Sequence, residues 1–294
     1  MRRRTTRAAG GEPHSGRERR EAFVLTARVR LDAGQRRTLA GALVLSSLAP
    51  AGALAGAWTL PAGQGQIIAS LFGWTGDGPA YGGGSGPKES RVEGQGYVEY
   101  GLTDSLTVVG QAALERYELT SPTADAFRGL DYSEAGLRAR VWSNDVLVVS
   151  IETTAFLPGA RDASRPAQAG NTGGAAEGRA LVGCNFSLFA APAFLNAEAA
   201  FRMRAAGPPD EWHGDLTLGV QLGGRATLLL QTFNTISAGP GSARFPPWSS
   251  DTAELSLVYA LDERWSVQAG AFATFATVAT NSQRGLVAAI WRRF

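Results

Sequence analysis

Cysteine, lysine and long apolar segments are all scarce in this chain of 294 residues. The single cysteine, Cys184, excludes an intramolecular disulfide, because a bridge needs two thiols. After residue 55, no apolar run reaches the roughly 20 residues that a transmembrane helix needs. The only lysine is Lys88, so the basic residues are almost all arginines. These absences exclude a disulfide scaffold and a helical membrane protein.

The N-terminal segment has the features of a secretory signal peptide. Arg36-Arg37 precedes the apolar run 39–54, and the run ends in the small-residue pattern Ala53-Leu54-Ala55. This run is shorter than a membrane anchor requires. We therefore predict that residues 1–55, a basic extension plus signal peptide, are removed, with cleavage after Ala55 or Ala57. Residues 56–294 would then form one domain.

Removal of the signal changes the sign of the net charge. Residues 1–55 hold eleven of the 28 basic residues and four of the 26 acidic ones. The remainder has 17 basic and 22 acidic residues, a net charge of about −5. The positive charge of the whole chain therefore belongs to the precursor, and we predict no nucleic-acid partner.

From Gln66 onward, apolar and polar residues alternate with a period of two. Ile151 and Glu152, for example, belong to opposite faces of one such segment. The alternation is clearest in segments 146–157, 194–204 and 253–261. It predicts an all-β fold, but a soluble β-sandwich would show the same pattern.

Turn signals divide this region into twelve strands. Short turns are predicted at Thr103-Asp104-Ser105, Ser143-Asn144-Asp145, Ala190-Ala191-Pro192, Gly223-Gly224-Arg225 and Asp262-Glu263-Arg264. Longer loops are predicted at 76–90, 120–130, 158–176, 205–211, 238–250 and 278–283. Short and long connections in rotation are typical of a transmembrane antiparallel β-barrel with both termini in the periplasm. Ten or fourteen strands remain as alternatives.

Aromatic residues favour the barrel over the sandwich. Tyr100, Trp142, Tyr259 and Trp265 fall at the short-turn ends of strands, and Trp74, Tyr117, Tyr132, Phe156 and Trp212 fall at the opposite ends. Two such bands, one strand length apart, are typical of residues at the two membrane interfaces.

The last nine residues resemble the C-terminal signature of bacterial outer-membrane barrels. Leu286, Ala288, Ile290 and Phe294 match its alternate apolar positions and its final aromatic residue, whereas Arg292 departs from the pattern. The resemblance implies insertion into the bacterial outer membrane by the barrel-insertion machinery, through the strand that ends at Phe294. Outer-membrane lipid and lipopolysaccharide would then surround the barrel.

The polar face of each strand would line the lumen. Strand parity assigns to it Glu93, Glu99, Glu115, Glu134, Arg138, Arg140, Glu152, Arg179, Glu198, Arg202, Arg204, His213, Asp215 and Glu254. These charges could pair with one another and fill the interior, or they could line a narrow water path that selects solutes by charge. The two arginine pairs, 138/140 and 202/204, could bind a carboxylate or phosphate. Neutralisation by Glu134, Glu152 and Glu198 is slightly favoured.

Catalysis, cofactors and metals have little support. His213 and Asp215 could form a general-base dyad, but no serine lies in a recognisable nucleophile motif. Two ligands are too few for a metal site. The glycine-rich stretch 82–86 has no helix after it to bind phosphate. We therefore predict a protein that is not an enzyme and has no cofactor or metal.

Two short segments resemble known families. The hairpin 96–108, with Tyr100-Gly101-Leu102-Thr103-Asp104, resembles outer-membrane proteins of phenol-degradation pathways. Residues 56–66 resemble outer-membrane proteins from exopolysaccharide or biofilm-adhesin loci. The first resemblance implies transport of a small solute, and the second implies polysaccharide export or adhesion.

Together these features predict a porin-like outer-membrane channel for passive passage of a small polar or amphipathic solute. The alternative is a component of exopolysaccharide secretion or adhesion that acts through its long external loops. The partner would be a small solute in the first case and a polysaccharide in the second.

Overall fold

The chain folds into a closed, antiparallel β-barrel of twelve strands. A computed structural model describes residues 56–77, 88–120, 125–162, 172–205, 207–242 and 245–294. The strands are β1 (Gly65–Asp77), β2 (Lys88–Thr103), β3 (Leu106–Thr120), β4 (Asp125–Ser143), β5 (Leu147–Pro158), β6 (Ala175–Leu188), β7 (Ala191–Arg204), β8 (Glu211–Gln221), β9 (Ala226–Ser237), β10 (Ser249–Ala260), β11 (Trp265–Val278) and β12 (Ser282–Arg293). The predicted all-β, twelve-stranded barrel is confirmed.

Three predictions concern residues outside those ranges. They are the signal peptide in 1–55, most of the predicted loop 76–90 and the middle of the predicted loop 158–176. Within the described residues, no helix is long and apolar enough to cross a membrane.

Pairing of the first and last strands closes the sheet. Neighbours in sequence are neighbours in the barrel, and β1 also pairs with β12 from Gln66 opposite Arg293 to Asp77 opposite Ser282. The ladder continues one residue further, where Gly65 and Phe294 exchange two backbone hydrogen bonds of 2.8 and 2.9 Å. Closure leaves no strand edge with unpaired backbone groups, which a bilayer interior would not tolerate.

Side chains of Asp and Asn stabilise two of the short turns. Oδ1 of Asn144 accepts two backbone N–H groups at 2.8 and 2.9 Å. Oδ1 of Asp262 accepts the N–H groups of Arg264 and Trp265, both at 2.7 Å. These two backbone hydrogen bonds hold the pKa of the exposed Asp262 carboxyl below its usual value.

One predicted turn was misplaced. The β6–β7 turn is Phe189-Ala190, and Ala191-Pro192 already belong to β7. Phe189 and Ala190 both have positive φ, at 49° and 68°, as a two-residue hairpin requires. Asn and Gly usually occupy such positions, so Phe189 and Ala190 give no turn signal in the sequence. Because Pro192 was taken as a turn residue, the predicted turn ends two residues after the observed one.

Several loops are shorter than predicted because the strands extend into them. β2 begins at Lys88 inside the predicted loop 76–90, and β4 begins at Asp125 inside the predicted loop 120–130. β8 begins at Glu211, the last residue of the predicted loop 205–211.

A bulge in β4 brings two consecutive side chains into the interior. The register with β3 shifts between Ala113 and Leu114, so Asp131 is an extra residue on β4. Asp131 is buried and bonded to Arg161, while the Tyr132 hydroxyl accepts from Gln111. Strand parity alone would place one of the two outside.

The aromatic band is present at the short-turn end of the barrel and largely absent at the other end. Tyr100, Trp142, Tyr259 and Trp265 are exposed on the outer surface, and so is Trp212 at the opposite end. The prediction was wrong for the residues that lie inside, which are Trp74, Tyr117, Tyr132 and Phe156. Tyr117 and Phe156 share strand parity with Glu115 and Glu152. Tyr117 lies under Arg91 at 4.8 Å and Phe156 under Arg202 at 4.0 Å, so cation–π contacts stabilise both inward positions.

Residues 56–64, here called the N-terminal segment, turn into the barrel at the short-turn end. Ala57 is 0% exposed; its N–H donates to Asn196 Oδ1 at 2.9 Å, and its carbonyl accepts from the Ser150 hydroxyl. The Trp58 ring packs edge-on against Phe194, with 5.8 Å between ring centroids. The Leu60 N–H donates to Thr107 Oγ1 at 3.0 Å. The segment therefore crosses the interior from β3 to β7.

Gly101 allows this segment to approach the wall. A Cβ at position 101 would lie 2.2 Å from the Pro61 carbonyl oxygen, whereas a Cβ at Gly96 on the same strand would meet nothing within 4 Å. We expect Gly101→Val to expel the N-terminal segment without opening the barrel. The measurement is chymotrypsin cleavage after Trp58, which should be slow in the native chain and fast in the variant.

Gly96→Val is the matched control and should stay as resistant to cleavage as the native chain. Heat-modifiable electrophoretic mobility checks that both variants remain folded. Equal protection of Gly101→Val and Gly96→Val would show that the segment does not depend on this contact.

Candidate functional site: the barrel interior

The interior has an apolar wall that strand parity did not predict. Ile68, Leu229, Val258 and Trp291 are buried together there, and Trp58 packs against them. They come from β1, β9, β10 and β12. On β12 both faces are apolar, because Leu286, Ala288 and Ile290 alternate outside with Val287, Ala289 and Trp291 inside. The expectation of a polar interior all round was therefore wrong on this side.

Arg138 holds together the charged wall near the short-turn end. It donates to Glu99 and to Glu152, both at 2.7 Å, and to the Tyr97 hydroxyl at 3.3 Å. That hydroxyl in turn donates to Glu99 at 2.6 Å. Arg138 is 4% exposed and Glu99 0%. Since Glu99, Arg138 and Glu152 lie on β2, β4 and β5, the pairing passes through the barrel interior.

A second network joins β6, β7 and β8. Arg179 binds Glu177 at 2.8 Å and Asp215 at 3.0 Å, and it also contacts Glu198. Glu177 also binds Arg202 at 2.9 Å. Arg179 on β6 thus binds carboxylates from its own strand, from β7 and from β8, two strands away.

The same network continues to Glu211 near the long-loop end. Arg204 binds Glu211 through Nη1, and Arg202 lies 3.8 Å from it. The His213 Nε2 atom is 3.4 Å from the Glu211 carboxylate.

A third network lies on the inner face of β2, β3 and β4. Glu115 binds Arg91 at 2.9 Å and Arg161 at 2.5 Å, and Arg161 also binds Asp131. Carboxylate atoms of Glu93, Glu115 and Asp131 lie within 4.8 Å of one another. The two guanidinium groups already bind two of these three carboxylates, so the group forms an ion-pair cluster.

The predicted lumen residues are all at least half-buried. Those classed as buried are Glu93, Glu99, Glu115, Arg138 and Glu254, and those half-buried are Glu134, Arg140, Glu152, Arg179, Glu198, Arg202, Arg204, His213 and Asp215. Among the described residues, Glu93, Glu134, Arg140 and Glu254 have no oppositely charged group within 4.0 Å.

The partners of the arginine pairs match the expectation only in part. Arg138 binds Glu152 as expected, but Arg202 and Arg204 bind Glu177 and Glu211, and Glu134 forms no ion pair with either. The reason is register: Glu177 and Glu211 lie directly opposite Arg202 on the two neighbouring strands. Parity indicates a face of the sheet, but it does not identify which residues stand opposite each other.

His213 and Asp215 do not form a hydrogen-bonded dyad. His213 Nδ1 is paired with the Thr235 hydroxyl at 3.2 Å, while Asp215 accepts from Arg179. Their hydrogen bonds go to different partners, so the structure does not bring these two residues together as a dyad.

Several charged residues of the interior were missed. Glu89, Arg161 and Glu211 fell within predicted loops, and Asp131 was hidden by its bulge. Glu211 could have been found, because it continues the parity of His213 and Asp215 by one step. For Asp131 and Arg161 the sequence holds no comparable signal.

Two adjoining cavities follow the barrel interior. The outer cavity, about 300 Å³, reaches Pro158 and Gly173 at the long-loop end. The central cavity, about 350 Å³, reaches Gly56 at the start of the N-terminal segment. Side chains such as Glu134 and Arg179 line both cavities. In the central cavity, charged side chains stand opposite the apolar wall.

Solved structures with the same fold are bacterial outer-membrane barrels. An outer membrane channel from Pseudomonas putida F1 superposes with a TM-score of 0.63 at 14% identity, covering 82% of this chain and 99% of the other. The β-domain of the Bordetella autotransporter BrkA superposes with a TM-score of 0.52 at 11% identity, covering 79% of this chain and 100% of the other. The translocator domain of autotransporter NalP from Neisseria meningitidis superposes with a TM-score of 0.50 at 10% identity, covering 89% of this chain and 97% of the other.

Sequence comparisons add no closer relative. No protein-family model matches the chain, and no curated protein matches it. At such low identities the structural likeness establishes the fold alone, which is that of a twelve-stranded outer-membrane barrel.

The Arg138 cluster gives a test of the charged wall. Arg138→Met would leave the buried Glu99 without its counter-ion, so we expect the free energy of unfolding to fall by about 3–5 kcal/mol. Urea titration in lipid vesicles measures this loss. Adding Glu99→Gln to Arg138→Met should restore part of it, because the uncompensated charge is then gone.

Arg116→Ala is the control, since its pair with Glu118 is exposed and should contribute only about 0–1 kcal/mol. If Arg138→Met and Arg116→Ala lowered the free energy of unfolding equally, the structural role of the buried cluster would be contradicted.

Proposed function

We propose that this protein is an outer-membrane channel for passive passage of a small polar or amphipathic solute. The observation that carries the proposal is the pair of adjoining cavities, which extends from the long-loop end to the N-terminal segment. A barrel filled entirely by paired side chains would leave no such space.

The outer surface supports placement in a membrane. Large apolar side chains such as Leu71, Ile151 and Leu286 are more than half exposed, and they lie on the outward face of their strands. Such a surface is stable only against lipid. Because bacterial barrels place their short turns in the periplasm, the N-terminal segment and Phe294 would both be periplasmic.

This placement fits the predicted processing and assembly. Residues 1–55 would be the signal that leads to export, and the domain would begin at residue 56. The last strand, with its outward Leu286, Ala288 and Ile290, would be the part that the insertion machinery recognises. Outer-membrane lipid and lipopolysaccharide would contact the exposed band.

The two walls of the central cavity suit a solute with mixed character. Charged groups such as Arg138 and Glu152 can hydrogen-bond polar parts, while Ile68, Leu229 and Trp291 can contact apolar ones. Because hairpin 96–108 resembles outer-membrane proteins of phenol-degradation pathways, small phenols are the first solutes to test.

The N-terminal segment limits the width of the path at the periplasmic end. Ala57 and Trp58 are held by β5, β6 and β7, and Trp58 fills the space over Gly183. The segment is attached by hydrogen bonds and packing, so its removal should leave the closed sheet intact.

Conductance in planar bilayers tests the proposal. We expect the native barrel to conduct ions weakly, and a variant that lacks residues 56–64 after the signal to conduct more, because the segment no longer narrows the path. Swelling of liposomes in small phenols measures solute passage in the same preparations.

A folded barrel that conducts no ions, either with or without residues 56–64, would contradict the proposed channel function. If deletion of the gene then removed surface polysaccharide or adhesion, the alternative function would stand instead. The long external loops that this alternative requires lie mainly outside the described residues.

A further inference from the structure

We propose that the path prefers cations to anions, and that Glu254 is the position at which a permeating cation binds. This inference rests on the proposed channel function and specifies what that channel admits.

The central cavity is lined by more carboxyl groups than guanidinium groups. Five carboxylates line it, and only two guanidinium groups do; the carboxylates are those of Glu134, Glu152, Glu198, Asp215 and Glu254, and the guanidinium groups those of Arg138 and Arg179. The outer cavity is balanced by comparison, with Glu134, Glu152 and Glu177 against Arg179, Arg202 and Arg204. The central cavity is therefore the part of the path that would distinguish ions by sign.

Neither arginine of the central cavity is free to bind an anion. Arg138 is bound by Glu99 and Glu152, and Arg179 by Glu177, Glu198 and Asp215. An entering anion would have to displace a carboxylate that is already hydrogen-bonded in a buried pair. A cation meets no such competition.

Among the carboxylates of the central cavity, Glu254 is the most buried. It projects from β10 on the apolar side of the cavity and is only 6% exposed. Among the described residues no arginine, lysine or histidine lies within 4.0 Å of it, and its partners are neutral. A buried carboxylate without a counter-charge is costly, and a cation in the adjoining cavity would supply that charge.

The neutral partners hold this carboxylate in place. Gln268 Nε2 donates to Glu254 at 3.3 Å and to the Ser256 hydroxyl at 2.9 Å. Trp291 Nε1 donates to Gln268 Oε1 at 3.1 Å, which turns the amide so that its NH₂ group faces Glu254. Side chains of β10, β11 and β12 thus orient one negative group toward the cavity.

The test is the reversal potential of single channels in a potassium chloride gradient. For the native chain we expect potassium to permeate better than chloride. Glu254→Gln keeps the shape and the hydrogen bonds but removes the charge. It should lower the permeability ratio at least about fourfold to sixfold, the effect on potassium alone of one charge ~4–5 Å away in water-like surroundings.

Glu263→Gln is the matched control, because Glu263 is an exposed residue of the β10–β11 turn and lies outside the cavity. The potassium-to-chloride permeability ratio of this variant should equal that of the native chain. Glu134→Gln is a second variant in the cavity, and it should lower the ratio even if Glu254→Gln folds poorly. Heat-modifiable mobility shows which variants are folded.

The outcomes separate the two proposals. If membranes conduct no ions with the folded native chain and none with the folded variant that lacks residues 56–64, the channel itself is contradicted, and this inference with it. A conducting channel that prefers chloride, or neither ion, would overturn the cation preference alone. Cation preference that is unchanged in folded Glu254→Gln would overturn the assignment to Glu254.

Discussion

Closure of the sheet between β1 and β12 is the constraint on which the rest of the structure depends. Every backbone group of a membrane-spanning sheet needs a partner within the sheet, and the pairing of Gln66 with Arg293 through Asp77 with Ser282 supplies the last ladder. Once the sheet is closed, each strand has one face toward lipid and one toward the interior. Exposed leucines and buried ion pairs are two consequences of this one arrangement.

The interior must then satisfy its own charges. Arg138, Arg179 and Arg202 each bind carboxylates that come from other strands, so the ion pairs act across the barrel as well as along it. The pairing is asymmetric. It is concentrated on β2 to β8, while β9 to β12 and β1 contribute mainly apolar side chains and the isolated Glu254. The cavities lie between these two walls.

Prediction from sequence succeeded where a local pattern reports a local structure. Alternation and turn residues were enough for twelve strands, and Asp262 and Asn144 were found in turns that their side chains stabilise. It failed where the deciding contact was distant in sequence. The partners of Arg202, for example, are Glu177 and Glu211, because the register places both directly opposite it on the neighbouring strands. The Phe189-Ala190 turn was missed because neither residue type is typical of positive φ.

The sequence by itself determined the class of fold, the number of strands and the face to which most charged residues belong, because a period of two is a property of each strand alone. Only the tertiary structure decided which charges pair, how the bulge at Asp131 places two neighbours inside, and where residues 56–64 lie. These features depend on register between strands and on contacts across a closed barrel, such as that between Ala57 and Asn196. No periodicity along a single chain segment encodes them.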